Sequence, residues 1–215
     1  MKPHFYPDLL TYLQSCESEW DAIPAGRKRE LEELGGFVKE QLQAGQPAKL
    51  TFICTHNSRR SHLSQIWAHI AAQYYGLNGV ETYSGGTEAT AFNPRAVSAL
   101  RNCGLKIEAN DLSLSNPIYL VRSSDSSPPL ICFSKVFNHA PNPTHDYCAI
   151  MTCSQADDAC PVVSGCELRL PIRYDDPKLA DDTPAEAARY AERSRQICRE
   201  MLYAMHQAVP HRQPR

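Results

Sequence analysis

A chain of 215 residues, 42% hydrophobic and 21% charged, has the balance of one globular domain with room for an appendage, not of a disordered segment. Its formal net charge of -2 offers no bulk cationic field for nucleic acid or anionic lipid, and no run approaches the ~20 apolar residues of a membrane span. The opening MKPHFYPDLL lacks a charged segment followed by a long apolar run, so a cytoplasmic location is expected. Nine cysteines are then expected to be reduced, with metal-binding or catalytic roles open to some; in a secreted chain they would suggest a disulfide framework with one thiol left over.

Residues 1–48 form a helical extension by pattern. Leu9, Leu10 and Leu13 follow Pro7, and Leu31, Leu34, Val38 and Leu42 recur at helical spacing, interrupted by Gly35-Gly36 and ended at Gly45-Gln46-Pro47. From Lys49 strands and helices alternate, so residues 49–215 are expected to form one α/β domain. Leu50 to Ile53 is a strand that stops at Cys54, and a helix follows over Arg60 to Tyr75. Val80 to Tyr83 is a second strand, and Asn93-Pro94 opens a helix that Gly104 closes. Residues 111–145 break the rhythm; two β-like runs, Ile118–Val121 and Leu130–Phe137, flank a Ser/Pro-rich stretch and suggest an inserted hairpin with a flexible tip. Tyr147 to Thr152 and Leu168 to Ile172 are further strands. Thr183-Pro184-Ala185-Glu186 reads as a capping box for a last helix reaching about His206. The expected architecture is α/β, a short parallel sheet of about four strands flanked by helices.

Cys54-Thr55-His56-Asn57-Ser58-Arg59-Arg60-Ser61 joins the first strand to its helix. Cys, five residues, Arg and Ser is a weak pattern alone; its position raises the signal, because a strand-to-helix turn points successive N–H groups into one concavity that suits a tetrahedral oxyanion. There the helix dipole favours the Cys54 thiolate as a nucleophile, Arg60 supplies a planar fork for two oxyanion oxygens, and Ser61 can donate to the sulfur. Residues Thr55, His56, Asn57, Ser58 and Arg59 complete the oxyanion-binding loop, and Arg59 and His62 are expected to add positive potential. The bland alternative is a buried structural cysteine beside a surface arginine pair.

At these residues, and again at Tyr83-Ser84-Gly85-Gly86-Thr87-Glu88 and Asn93-Pro94, the chain resembles the low-molecular-weight protein tyrosine phosphatase family, over most of residues 49–207. His56 stands where that family usually has glycine. The resemblance implies that Asp176, in Tyr174-Asp175-Asp176-Pro177, is the general acid; Pro177 keeps Asp176 out of helical conformation.

Cys153-Ser-Gln-Ala-Asp-Asp-Ala-Cys160 resembles the thioredoxin-coupled arsenate reductases of the same fold family. That likeness implies that Cys54 attacks arsenate, Cys153 displaces arsenite by forming a disulfide, and Cys160 takes the disulfide over and presents it to a thioredoxin-like dithiol. It implies no bound cofactor. Gln65 stands where that branch usually has a potassium-binding glutamate, and no metal is expected. Ser154 to Ala159 is short, polar and acidic, with little reason to be rigid. Idle cysteines, or zinc held by Cys153, Cys160, Cys166 and a histidine, are the competing readings.

Lys178-Leu179-Ala180 replaces the tyrosines with which many phosphatases of the family stack a phosphotyrosine ring. With the likeness at Cys153 and Cys160, this makes arsenate reduction the favoured activity. The alternative is a protein tyrosine phosphatase acting through a cysteinyl-phosphate, and a third reading is a non-catalytic oxyanion or redox sensor. The substrate is an arsenate or phosphate oxyanion, or phosphotyrosine; oligomeric state is left open.

Overall fold

The computed structural model describes residues 4–159 and 162–210. Four strands, β1 (Ala48–Cys54), β2 (Val80–Gly86), β6 (Tyr147–Met151) and β7 (Cys166–Leu170), form one sheet in the order β2-β1-β6-β7. Every pairing in it is parallel, as the alternating pattern requires. The buried runs Phe52-Ile53-Cys54 and Tyr147 to Met151 are apolar on both faces, as a sheet covered on both sides demands. The chain leaves β1 through α3 (Arg60–Tyr75) to reach β2 on one side and later returns to β6 on the other. The carboxyl end of β1 is thus the point where strand order changes direction, the place where such sheets open a crevice.

Helices α1 (Pro7–Glu17), α2 (Ala25–Gln43), α4 (Pro94–Asn102) and α6 (Glu186–Gln207) complete the main layers. Leu9, Leu13, Leu31, Leu34 and Val38 of the first two helices are fully buried in the same core as Leu50, Phe52, Ile66, Met201 and Leu202. Each such side chain contributes about 1.5–3 kcal/mol of transfer free energy, so residues 7–43 are anchored to the body. Gly35, read from sequence as a weak point of α2, is a close approach: a β-carbon there would stand 2.5 Å from the carbonyl oxygen of Ala204 on α6.

Local structure follows the pattern at some points and departs from it at others. Asn93 caps α4 as expected, its side chain accepting the Arg95 N–H at 2.9 Å. Thr183 and Glu186, however, do not form a reciprocal box. The Thr183 hydroxyl accepts the Ala185 N–H at 3.2 Å, while the Glu186 carboxylate accepts the Asp182 N–H at 2.7 Å, and α6 starts at Glu186. The expected hairpin is present, β4 (Tyr119–Arg122) pairing antiparallel with β5 (Leu130–Cys132), and β3 (Lys106–Ala109), which precedes the expected insertion, adds a third antiparallel strand beside β4. The hairpin tip is pinned: Tyr6 donates its N–H to the Ser123 carbonyl at 3.0 Å and its hydroxyl to Asp125 at 2.6 Å. The strand expected to run to Phe137 stops at Cys132, and Val136 instead bridges to Gly86 of β2. Finally, α5 (Ser154–Ala159) is a helix with Ala156 and Asp157 buried, held by ion pairs from Asp157 to Arg169 and Arg173.

Candidate active site

The loop of residues 54–59 leaves β1 and enters α3, and its backbone is fixed from several directions. Asn57 is fully buried with φ +44°, a left-handed conformation that asparagine tolerates better than most residues. Its side chain donates to the Ser61 hydroxyl at 2.8 Å and accepts the Lys135 N–H at 2.9 Å, tying the loop to both α3 and the insertion. Gly86 pairs with Cys54 across the sheet, and a β-carbon there would lie 2.7 Å from the Asn57 nitrogen and the Thr55 oxygen. Thr87 and Glu88 donate their N–H groups to the Cys54 and Thr55 carbonyls. His56, where glycine is usual, does not adopt a positive φ, and its ring Nδ1 stands 3.0 Å from Glu88 Oε1.

Within this frame Cys54 is buried, and its sulfur lies 3.1 Å from the Ser61 hydroxyl. That hydroxyl already accepts from Asn57, which leaves its own proton for the sulfur. No side chain caps the start of α3, so its first-turn N–H groups remain available at the loop. Arg60 and Arg59 then reach across to the segment after β7. Arg60 Nη2 donates to Asp176 Oδ2 at 2.7 Å and Nη1 donates to the Tyr174 carbonyl at 3.1 Å. Arg59 Nε donates to the Tyr190 hydroxyl at 2.7 Å, Arg59 Nη2 donates to Asp181 Oδ2 at 3.1 Å, and Nε stands 4.0 Å from Asp176 Oδ1.

Asp176 is extended (φ -75°, ψ 121°), as a residue preceding proline should be, and its Oδ1 accepts the Lys178 N–H at 3.1 Å. Together Cys54, Thr55, His56, Ser58, Arg59, Arg60 and Asp176 line a pocket of about 200 Å³, with Gln155 and Lys178 at its edge. A deep sulfur, two guanidiniums and a carboxylate around a volume of this size suit a small tetrahedral oxyanion.

Cys153 lies two residues beyond the end of β6, next to this pocket. It is fully buried, its sulfur lies 3.5 Å from the Thr55 hydroxyl of the loop, and it accepts the Ala156 N–H at 3.4 Å. Cys54 and Cys153 share one small apolar cluster with Ile53, Met151 and Val163. Cys160 lies outside the described residues.

Other expectations fare differently. His62 does not add positive potential: it is fully buried, stacks on Phe92 at 4.1 Å, and burial together with the nearby Lys135 ammonium holds its protonation well below the ordinary range. Gln65 donates to the Thr82 carbonyl at 3.0 Å. Tyr190, Asp181 and Lys135 escaped the sequence reading. Tyr190 has the apolar spacing of a core residue, and nothing local to it signals a partner 131 positions away.

Residues 49–117 match the family model described as "Low molecular weight phosphotyrosine protein phosphatase". A protein of Bacillus subtilis (strain 168) named arsenate reductase is 32% identical over 144 residues, covering 67% of this chain and 84% of that protein. Another arsenate reductase, from Bacillus licheniformis, is 28% identical over 147 residues, with 67% and 84% covered. Among solved structures, a low molecular weight phosphotyrosine phosphatase of Vibrio cholerae O395 aligns at a TM-score of 0.46 and 12% identity, over 74% of this chain and 94% of that one.

Proposed function

The chain belongs to the low molecular weight phosphotyrosine protein phosphatase family, and from that premise we propose that it is an arsenate reductase in which Cys54 is the nucleophile and Cys153 and Cys160 form a disulfide relay. Arsenate enters the pocket with its oxygens on the N–H groups of the loop (Thr55, His56, Asn57, Ser58 and Arg59) and on the Arg60 fork. Arg60 must then exchange Asp176 for substrate, which frees the carboxyl group to act on the leaving oxygen. The Cys54 sulfur attacks arsenic, Asp176 protonates the departing hydroxyl, and water leaves. Ser61 stabilises the sulfur whenever it is an anion.

The Cys153 thiolate then attacks the Cys54 sulfur. A sulfur–sulfur bond forms, the electron pair of the sulfur–arsenic bond stays on arsenic, and arsenite departs reduced by two electrons. Cys160 next attacks Cys153, which returns Cys54 as a thiolate, and an external thioredoxin-like dithiol reduces the disulfide between residues 153 and 160. The chemistry calls for no bound cofactor and for a reducing compartment such as the cytoplasm; among the described residues no helix is long and apolar enough to cross a membrane.

The observation that carries this reading is the buried Cys153 sulfur 3.5 Å from Thr55 of the oxyanion loop. Hydrolysis of a cysteinyl-phosphate has no use for a second thiol there. Both reactions share the first step, so slow phosphatase activity is expected beside reduction. The test is arsenate-dependent NADPH oxidation coupled through thioredoxin, run beside p-nitrophenyl phosphate hydrolysis. Cys153→Ser and Cys160→Ser are each expected to lower reduction by more than about 10³-fold while hydrolysis persists. Normal reduction in both variants would rule the relay out.

A further inference from the structure

Asp176 is approached by two guanidiniums, and the second of them is held by groups that no role yet accounts for. Arg59 spends Nε on the Tyr190 hydroxyl at 2.7 Å and Nη2 on Asp181 Oδ2 at 3.1 Å. Tyr190 in turn donates its hydroxyl to Asp181 Oδ1 at 2.8 Å, so the three side chains close a ring of hydrogen bonds. Tyr190 is 1% exposed and is carried by the long helix α6, while Asp181 lies just beyond the turn that Asp176 caps. Asp181 is itself faced by Arg95 at 3.8 Å, and Arg95 is anchored to Glu186 at 2.7 Å. Arg59 lines the oxyanion pocket, and its remaining nitrogen, Nη1, is used by none of these partners.

We propose that Tyr190 and Asp181 are positioning residues that fix Arg59 as a second guanidinium beside the leaving oxygen, so that the site binds a free tetrahedral oxyanion in preference to a phosphate ester. The inference rests on the assignment of Asp176 to the leaving-group side. Arg59 Nε is 4.0 Å from Asp176 Oδ1, which sets the Arg59 guanidinium, with Nη1 left over, on the same side of the pocket as the oxygen that Asp176 protonates. In arsenate or inorganic phosphate that fourth oxygen is unsubstituted and accepts charge-assisted hydrogen bonds. In an ester it bridges to carbon, carries little charge and is a poor acceptor. Arg60 and the loop amides serve the other three oxygens of both ligands equally and do not discriminate. An arginine left free on the surface would spend rotamer entropy on binding; one already held at Nε and Nη2 has lost it beforehand.

Equilibrium binding separates this idea from the proposed reaction, because it needs no turnover. Inorganic phosphate and phenyl phosphate are titrated calorimetrically into the full chain carrying Cys54→Ser, and into the same protein with Tyr190→Phe, Asp181→Asn or Arg59→Leu added. Each addition is expected to weaken inorganic phosphate about 5- to 10-fold, the scale of one hydrogen bond to a charged group, and phenyl phosphate less than about 2-fold. Tyr190→Phe placed on Arg59→Leu is expected to add nothing, since both act through one guanidinium. Equal losses for the two ligands, no loss for either, or additive losses would each overturn the proposal. An arsenate assay that fails while this pattern holds would instead count against the reductase reading alone.

Discussion

Two segments leave adjacent parallel strands at the same carboxyl end of the sheet, and they are built in opposite ways. The loop after β1 runs into the 16-residue α3, and buried Asn57 locks it to Ser61 and Lys135. The segment after β6 runs into α5, a helix of only 6 residues whose hold on the body includes the ion pairs of Asp157 with Arg169 and Arg173. A helix of that length spans about 9 Å, whereas the Cα atoms of a disulfide lie about 4.4–6.8 Å apart. The proposed disulfide between residues 153 and 160, which flank this helix in the sequence, would therefore require α5 to unwind. Under the proposed relay the first segment stays fixed to bind an oxyanion while the second comes apart to move a disulfide outward, a task that the short length of α5 suits.

The sharpest way to break this contrast is Asn57→Ala. It deletes a buried two-way link at a left-handed position, and a loss of about 2–4 kcal/mol in unfolding free energy is expected, with hydrolysis reduced by about 10²-fold. Denaturant melts and p-nitrophenyl phosphate kinetics measure both; an unchanged variant would mean that the loop's shape is set elsewhere.

Acid probes the helix that the loop enters. His69 lies on α3, and burial lowers its pKa from the ordinary 6.5 to about 4. Between these values the unfolded chain binds a proton that the folded chain refuses, so stability is full above pH 6.5 and falls as the pH drops toward 4, by up to about 3 kcal/mol. His69→Gln should lessen the slope there, leaving the share of His62, whose protonation burial also disfavours. A curve of unchanged slope would place the acid sensitivity on another group.

The smallest effect is expected at the other segment. Asp157→Asn weakens the ties to Arg169 and Arg173, and faster amide exchange confined to α5 is expected, with global stability reduced by about 1 kcal/mol. Faster exchange spread over the whole sheet would show that α5 is part of the rigid frame.

The contrast between the two segments also explains what the amino-acid pattern revealed. The parallel sheet and Cys54 at the end of its strand were legible, because continuous apolar runs, strand-to-helix order and an anion-binding turn are all local signals. Asn93 ahead of Pro94 announced its cap for the same reason. The strand Lys106–Ala109 stayed hidden: in its four residues only Ile107 is buried, too little alternation to read. The helix at Ser154–Ala159 looked mobile because its anchors, Arg169 and Arg173, come from 12 or more residues away. His62 read as a charge, and only its burial against Phe92 shows it neutral. The ring of Arg59, Tyr190 and Asp181 is invisible for a similar reason, since its members meet only through the fold.

The close approach of Gly35 to Ala204 sets a boundary for anyone trimming this chain. Helix α6 is shared property: its Tyr190 end steadies the oxyanion loop, while the stretch near Ala204 is roofed by α2. A shortened protein starting at β1 would keep every residue of the pocket yet strip the cover from that far stretch. The bared apolar surface would invite self-association, and the resulting loss of activity would be easily mistaken for a role of the first two helices in catalysis.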